Sequence, residues 1–555
     1  DNIGALSTAQ VSVLTTAQVA SLVSDHLNAM GTAQFAALTT AQVAALTPAQ
    51  ITGLGSDDLR ALSTAQYAAL ATGQAAALST DQIPMLESAD LRAMGVAPMR
   101  TWSTAQIDAL TSQQMAALST AQVAALSTLA IENLSSDDFN AFGSAQLVAL
   151  TSAQFGALNS LQLATLDGAD MAVIETQDLR ALGANALQSL SSAQIDALSS
   201  RQIGALATNQ IASLLTGQVA TLASDDLRAL TTAQFGALTT QQVAALTTDQ
   251  IPNIESADLR VLGSAAIQAL STAQVDALSS AQLVALATQQ IAALTTQQIA
   301  NLTSDDFGAF VTRQLATLGA AQAPGLTEAQ LGALGSADVR ALGTALLAVL
   351  SSAQFDALAT QQLAALTTSQ ITSLSAVELA TLDNADLDAL STAQIAALTG
   401  SQTGALSTAQ LAHLGSSDLT AFTAAAISGL TTQQIVDLST AQFAALTSVQ
   451  ATGLTTDQIG AIESADLRAM SSAALRALSS DQLGALSSDN IAALRTAQVA
   501  VLTTAQVASL VSDHLNALGT AQFVALTTAQ VAALTPAQIT GLGSDDLRAL
   551  STAQY

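Results

Sequence analysis

The sequence predicts an all-α solenoid, a superhelix built from very short helices of about seven residues, with one helix in each octapeptide repeat. An apolar anchor recurs every eight residues from Leu6 to Leu550, without an insertion or deletion. Each octad carries a helix-start signal directly after its anchor. One long helix is excluded by the period, because eight residues turn the anchor about 80° beyond two full turns and the stripe winds around the helix.

Two apolar positions define the predicted core of each octad. The anchor is Leu at 59 of 69 positions, and the others are Met, Ile, Phe or Trp102. A second series runs from Ile3 to Tyr555 and is apolar everywhere except at Thr403. A second-series residue and the next anchor are three residues apart, so both lie on one face of a helix. A β-solenoid fits less well, since Ala, Gln and Leu dominate where β-branched residues are expected.

The consensus octad L-[ST]-[ST]-A-Q-[VIL]-A-A contains a capping box, as in Thr39 and Gln42. The hydroxyl of such a cap accepts a hydrogen bond from the helix, and the Gln side chain reaches back to the amide of the cap. Pro48 supports this placement because proline is favoured at the first helical position. Gly31 and Gly55 occupy the cap position, where we expect a positive φ to end one helix and begin the next.

Three prolines do not fit the octad pattern. Pro84, Pro252 and Pro324 each follow a second-series residue. There they would interrupt the interior of a helix, because proline lacks the N–H that the helix needs. We expect locally distorted octads at these three places.

Some octads carry acids where the consensus has Ala-Gln, as in Asp57-Asp58-Leu59-Arg60. These acidic octads recur mostly 80 residues apart, which is ten octads, and a companion series of acidic octads lies between them. The steps between the two series are four and six octads, and such even numbers favour two octads per coil. A coil of slightly more than three octads would also bring the acidic octads back to the same side after ten octads. We expect Asp57, Asp58 and Arg60 to form salt bridges along or between coils. Calcium binding is the alternative, because stacked carboxylates are hard oxygen ligands. Its candidate ligands are Asp57, Asp58, Asp225, Asp226, Asp305 and Asp306.

We expect residues 1–555 to form one continuous octapeptide-repeat solenoid. Residues 14–67 recur almost unchanged as residues 502–555. This return indicates a slice of a longer repetitive protein.

Composition excludes several classes of function. The net charge is −28, and all thirteen basic residues are Arg. Nucleic acid is therefore not an expected partner, since phosphate binding requires a basic surface. No apolar run is long enough to span a bilayer, so no membrane insertion is expected. With no Cys, three His and no distinct Ser-His-Asp set, we predict no catalytic residues, no cofactor and no metal site beyond the calcium candidates.

The sequence resembles two known protein families. The segment LTPAQI, Leu46 to Ile51, resembles the opening of a repeat in TAL effectors, which are DNA-reading solenoids. The octad itself is similar to the giant L-T-T-x-Q-[IV]-x-A-L repeat proteins of proteobacteria, which are described as adhesins, RTX-like or haem-utilisation proteins. The second resemblance covers the whole chain and implies a protein that is secreted or attached to the cell surface without a cleaved signal peptide.

The sequence thus favours a non-enzymatic structural protein that associates with itself into an extracellular filament, sheath or adhesin stalk. The alternative is a surface binding module for Ca²⁺, glycan or ice, which would use the repeated Thr/Ser/Gln or Asp-Asp faces. Uniformity favours the structural role, because a binding site would make a few octads different from the others. The expected location is extracellular or at the cell surface.

Overall fold

Each octad folds as one short helix followed by two extended residues. The structure is a computed structural model, and it describes residues 2–555, without the side chains of residues 97 and 98. Helix Ser56–Ala61 ends at the anchor Leu62, with φ −70° and ψ 135°, and the next cap, Ser63, is also extended, with φ −77° and ψ 158°. The predicted all-α fold with one helix per octad is confirmed. Its α-helices have four to six residues, fewer than about seven, because anchor and cap lie outside the helix.

The chain divides into two units, Asp1–Ala277 and Leu278–Tyr555. In the first unit the α-helices α1 to α32 are, in order, Thr8–Ser12, Thr16–Ala20, Ser24–Asn28, Thr32–Ala36, Thr40–Ala44, Pro48–Thr52, Ser56–Ala61, Thr64–Ala68, Thr72–Ala76, Ser88–Ala93, Val96–Met99, Thr104–Asp108, Ser112–Ala117, Thr120–Ala125, Thr128–Asn133, Ser136–Asn140, Ser144–Val148, Ser152–Phe155, Ser160–Leu163, Gly168–Val173, Thr176–Leu179, Ala184–Ser189, Ser192–Asp196, Ser200–Ala205, Thr208–Ser213, Thr216–Ala220, Ser224–Ala229, Thr232–Phe235, Thr240–Ala244, Ser256–Val261, Ser264–Ala269 and Thr272–Asp276.

In the second unit the α-helices α33 to α65 are, in order, Ser280–Ala285, Thr288–Ala293, Thr296–Asn301, Ser304–Gly308, Thr312–Leu315, Glu328–Ala333, Ser336–Ala341, Thr344–Leu347, Ser352–Asp356, Thr360–Ala365, Thr368–Ser373, Ala376–Ala380, Asn384–Ala389, Thr392–Ala396, Gly400–Ala405, Thr408–His413, Ser416–Ala421, Ala424–Ser428, Thr432–Asp437, Thr440–Ala445, Ser448–Gly453, Thr456–Gly460, Ser464–Ala469, Ser472–Ala477, Ser480–Gly484, Ser488–Ala493, Thr496–Ala500, Thr504–Ser509, Ser512–Ala517, Thr520–Ala525, Thr528–Ala532, Pro536–Gly541 and Ser544–Ala549. The octad frame runs through both units, and the single continuous solenoid over residues 1–555 stays a prediction.

The glycines at the cap position do not have the expected positive φ. Gly31 has φ −86° and ψ 165°, and Gly55 has φ −71° and ψ 163°. Within residues 2–555 no glycine or other residue has a positive φ. The expectation was wrong because the anchor and the cap both adopt extended conformations with negative φ, and these end the helix without a left-handed residue.

The three prolines convert their helices into 3₁₀ helices, at Ile83–Met85, Ile251–Asn253 and Ala320–Gly325. In the first of these, the N–H of Met85 donates to Gln82 at 3.0 Å and the N–H of Leu86 donates to Ile83 at 3.1 Å. These bonds span three residues instead of four and do not use the proline nitrogen. The expected local distortion is therefore a tighter turn that keeps the octad frame.

Within each unit a helix packs on the third helix after it in the chain, as α24 packs on α27 and α50 packs on α53. Hydrogen bonds between neighbouring coils join residues 23 to 31 positions apart. Together with the packing of each helix on the third helix after it, these separations give a coil of about three octads or slightly more. The interpretation of two octads per coil was wrong, and the alternative of slightly more than three octads agrees with these distances.

The core consists of the two predicted apolar series. Val43 is fully buried and the anchor Leu46 is 3 % exposed. Thr403, the polar member of the second series, is also fully buried, and its hydroxyl donates to the carbonyl oxygen of Ala426 at 2.7 Å. A single hydroxyl is tolerated there because it has a partner in the adjacent coil.

No helix among the described residues has the length and apolar character that crossing a membrane would require.

Candidate functional site: the cross-coil glutamine bridge and the acidic octads

The glutamine at the fifth position of the octad links two coils, and we call this arrangement the cross-coil bridge. In Gln242, Oε1 accepts a hydrogen bond from the cap amide of Thr239 at 2.8 Å, which confirms the predicted capping box. Its Nε2 donates to the carbonyl oxygens of Ile211 at 2.9 Å and Leu214 at 2.7 Å. Both acceptors belong to the preceding coil. The same side chain therefore caps its own helix and links that helix to the preceding coil by hydrogen bonds.

Glutamine suits this position because its side-chain amide carries one acceptor oxygen and a nitrogen with two donor hydrogens. In the bridge the oxygen meets one N–H and the nitrogen meets two carbonyls. Gln242 is 2 % exposed, and a buried amide must have its hydrogen bonds made within the protein. Nearly the same geometry recurs at Gln154, which bonds Val123 at 2.9 Å and Leu126 at 2.8 Å.

An aspartate at the fifth position makes a different contact with the preceding coil. In the first unit, Oδ1 of Asp90 accepts a hydrogen bond from the Thr64 hydroxyl at 2.9 Å, and Asp178 accepts one from Ser152 at 2.7 Å. The donor lies 26 residues earlier in both cases. A carboxylate only accepts, so the direction of the bond between coils is reversed.

Burial raises the pKa of several of these carboxyl groups above the ordinary value. Desolvation is the largest cause in each case, and a hydrogen bond from a hydroxyl or a backbone amide lowers the pKa in part. The groups are Asp58, Asp90, Asp178, Asp258 and Asp386. They are therefore more readily protonated than exposed aspartates.

The six calcium candidates are not brought together. Asp58 and Asp226 are buried and accept hydrogen bonds from the cap amides of Gly55 at 3.3 Å and Ala223 at 3.1 Å. Asp306 accepts one from Thr303 at 2.7 Å. The remaining three, Asp57, Asp225 and Asp305, are exposed. In the part of the chain that the structure describes, no three His, Cys, Asp or Glu side chains form a group that could hold a metal ion.

The predicted salt bridges of Asp57 and Asp58 with Arg60 are not found among the described residues. Arg60 instead contacts the sulfur of Met85 in the next coil, with 3.4 Å between Nη2 and Sδ. The equivalent octads at 225 and 545 do form the expected pair three residues apart, Arg228 with Asp225 at 3.2 Å and Arg548 with Asp545 at 3.8 Å. All four of these side chains are exposed, so each pair contributes little to stability.

Two aromatic side chains donate hydrogen bonds to carbonyls of the second series, a role that the apolar pattern did not predict. Tyr67 donates its hydroxyl to Leu59 at 2.9 Å. This carbonyl is only one octad earlier, so the bond does not join two coils, but it is the carbonyl 31 residues before Asp90 that a glutamine amide would bind. Trp102 donates its indole N–H to Ala75, 27 residues earlier, at 2.9 Å and so links two coils. The signal in the sequence is a polar aromatic at an apolar position. The partner of Trp102 depends on the number of octads per coil.

The profile of the ALTTAQ repeat family matches thirteen segments spread over most of the chain, at residues 22–56, 51–86, 83–120, 131–167, 171–208, 219–253, 251–288, 276–304, 331–368, 379–416, 411–448, 459–496 and 512–544. The chain belongs to the ALTTAQ repeat family. This confirms that it is a repeat protein. No curated protein matches the ALTTAQ chain.

Calcium is expected to leave the stability of the ALTTAQ chain nearly unchanged, because the buried candidates already accept hydrogen bonds from their own octads. Adding about 5 mM Ca²⁺, above the Kd of weak extracellular sites, should shift Tm by less than about 1 °C in thermal denaturation. In the control, Asn replaces Asp at the four candidate positions of two octads, namely 225, 226, 305 and 306. A calcium-dependent rise in Tm that this variant loses would establish the calcium-site alternative instead.

Proposed function

We propose that this ALTTAQ repeat chain is a non-enzymatic structural protein, which associates with itself to build an extracellular filament, sheath or adhesin stalk. The observation that carries the proposal is the uniformity of the coils. The cross-coil bridge of Gln42 to Val11 and Leu14 recurs as that of Gln538 to Val507 and Leu510 near the other end of the chain. Such regularity is typical of solenoids, whose stability is the sum of repeats and of the interfaces between neighbouring repeats.

The exposed surface supports self-association. In a representative octad the side chains of Thr240, Gln241 and Ala244 are exposed and uncharged. Burying such groups requires less desolvation than burying Lys or Glu. A contact made by one octad is available at every equivalent octad, which favours open heterologous assembly over a closed oligomer. The net charge of −28 opposes association until salt screens it.

Self-association is tested on the 555-residue chain by sedimentation velocity and electron microscopy over a range of concentration and salt. We expect elongated assemblies that grow with concentration and with ionic strength. In the test variant Ala33, Ala49 and Ala65, all exposed, are replaced by Glu, and the matched control has Thr at the same positions. The Glu variant should require several-fold more protein to assemble, because like charges would meet at the contact.

The cellular location of the protein is tested separately, by immunogold labelling of the producing cells. Label on fibres, a sheath or the cell surface is the expected result. A monomer at all concentrations contradicts the self-association, whereas label confined to the cell interior contradicts the extracellular placement.

A further inference from the structure

Glu378 is a buried carboxyl group with an unused oxygen. It occupies the fifth position of its octad, and its side chain is 1 % exposed. Oε2 accepts a hydrogen bond from the cap amide of Ser375 at 2.5 Å, as a bridge glutamine would. Oε1 is buried and has no hydrogen-bond partner. One half of the cross-coil bridge is thus made, and the other half is not.

The neighbouring bridges indicate which carbonyls of the preceding coil correspond to Oε1 of Glu378. Gln370, one octad earlier, donates to Val339 and Leu342, which are 31 and 28 residues before it. The same separations from Glu378 lead to the carbonyls of Leu347 and Leu350, and both of these residues are buried. Carbonyl and carboxylate oxygens are all acceptors, so no bond forms unless a hydrogen is supplied.

The surroundings do not provide a positive charge. Helix Ala376–Ala380 packs on Ser352–Asp356 and on Gly400–Ala405. The charged group on the first of these helices is the exposed Asp356, and the second has none. The next helix along the chain, Asn384–Ala389, adds only the aspartates 386 and 388, after Asp383 at its cap, and helices Thr344–Leu347 and Thr368–Ser373 contain no ionisable side chain. Burial raises the pKa of Glu378, and the hydrogen bonds from Ser375 lower it in part.

Complete bridges lie on both sides of Glu378 in the chain. Gln370 and Gln394 each donate to two carbonyls of the preceding coil. The fifth position lacks this amide at 338, 346 and 386. The incomplete bridge of Glu378 is therefore a local gap, and its effect should be confined to the adjacent coils.

We propose that Glu378 is a proton-gated link between two coils. Its neutral carboxyl group donates an O–H hydrogen bond to the carbonyl of Leu347 or Leu350, and loss of the proton breaks this link. The link is complete at acidic pH, where the proton is bound. It weakens as the pH rises, because the charged form is buried against acceptor oxygens without a counter-charge. The solenoid would then open locally around residues 344–350 and 376–382.

The test compares the full chain with Glu378→Gln, which restores the family consensus and should fold. Hydrogen exchange of peptides covering 344–350 and 376–382 is followed from pH 4 to pH 8, after correction for intrinsic exchange rates. At pH 8 we expect exchange in these peptides to be about tenfold slower in Glu378→Gln, because its amide completes the two cross-coil hydrogen bonds that the carboxylate cannot make. The difference should shrink toward pH 4, where both side chains are neutral.

Two further measurements separate this link from a general charge effect. The matched control is Glu328→Gln, which removes the same charge from an exposed position and should leave exchange in both peptides unchanged at every pH. The infrared spectrum should contain a carbonyl stretch of a protonated carboxyl at acidic pH that Glu378→Gln lacks. Equal pH profiles of the unaltered chain and Glu378→Gln would overturn the proposal. Slower exchange at pH 8 on adding Na⁺ or Ca²⁺, in the unaltered chain alone, would overturn it in favour of a cation site.

Discussion

Replacing Leu46 with Asp is expected to unfold the coil that contains it, at a cost of about 3–5 kcal/mol. Leu46 is a 3 % exposed anchor, and its carbonyl oxygen accepts the bridge of Gln74 at 2.7 Å. The substitution removes the apolar side chain and places a carboxylate at a buried core position. Chemical denaturation, combined with hydrogen exchange of peptides around residue 46, measures the effect.

The matched control for this anchor is Ala44→Asp, two residues earlier in the same octad. Ala44 is exposed, so the new charge stays hydrated and the change in stability should remain within about 0.5 kcal/mol. Equal effects of the two substitutions would show that the anchor does not form the core. Because repeats interact mainly with their neighbours, the loss of protection should be confined to the adjacent coils.

Replacing Gln242 with Met is expected to destabilise its coil by about 2–4 kcal/mol, although the two side chains are similar in size. The amide of Thr239 loses its acceptor, and the carbonyls of Ile211 and Leu214 lose the donor in the next coil. The two carbonyls are buried, and an unpaired polar group is costly there. Thermal and chemical denaturation of the full chain provide the measurement.

Its neighbour Gln241 provides the control within the same octad. Gln241 is exposed, so Gln241→Met should change the free energy of unfolding by less than about 0.5 kcal/mol. A second variant, Gln242→Glu, keeps the acceptor of the capping box and removes the donor, so it isolates the bond between coils. If Gln242→Met is as stable as Gln241→Met, the cross-coil bridge does not hold the coils together.

Local features of the octad were predictable from the sequence. Thr39 and Gln42 are three residues apart, and the capping box they form is fixed by that spacing. The buried second series and the buried anchors follow in the same way from the apolar pattern. The prolines at 84, 252 and 324 were expected to distort their octads, and they do, by tightening the helix. The capping box and the effect of the prolines arise within one octad, and the apolar pattern of a single octad is enough to indicate which residues face the core.

The sequence by itself therefore determined the repeat, the helix in each octad and the residues that face the core. Only the tertiary structure decided how many octads make a coil, and with it the second role of the glutamine, the reversed bond of Asp90 and the half-made bridge of Glu378. The physical reason is the repetition. Partners in adjacent coils are 23 to 31 residues apart, and each octad offers nearly the same anchors, hydroxyls and carbonyls. Several registers then satisfy the sequence pattern equally well, and the packing of the short helices in three dimensions selects one.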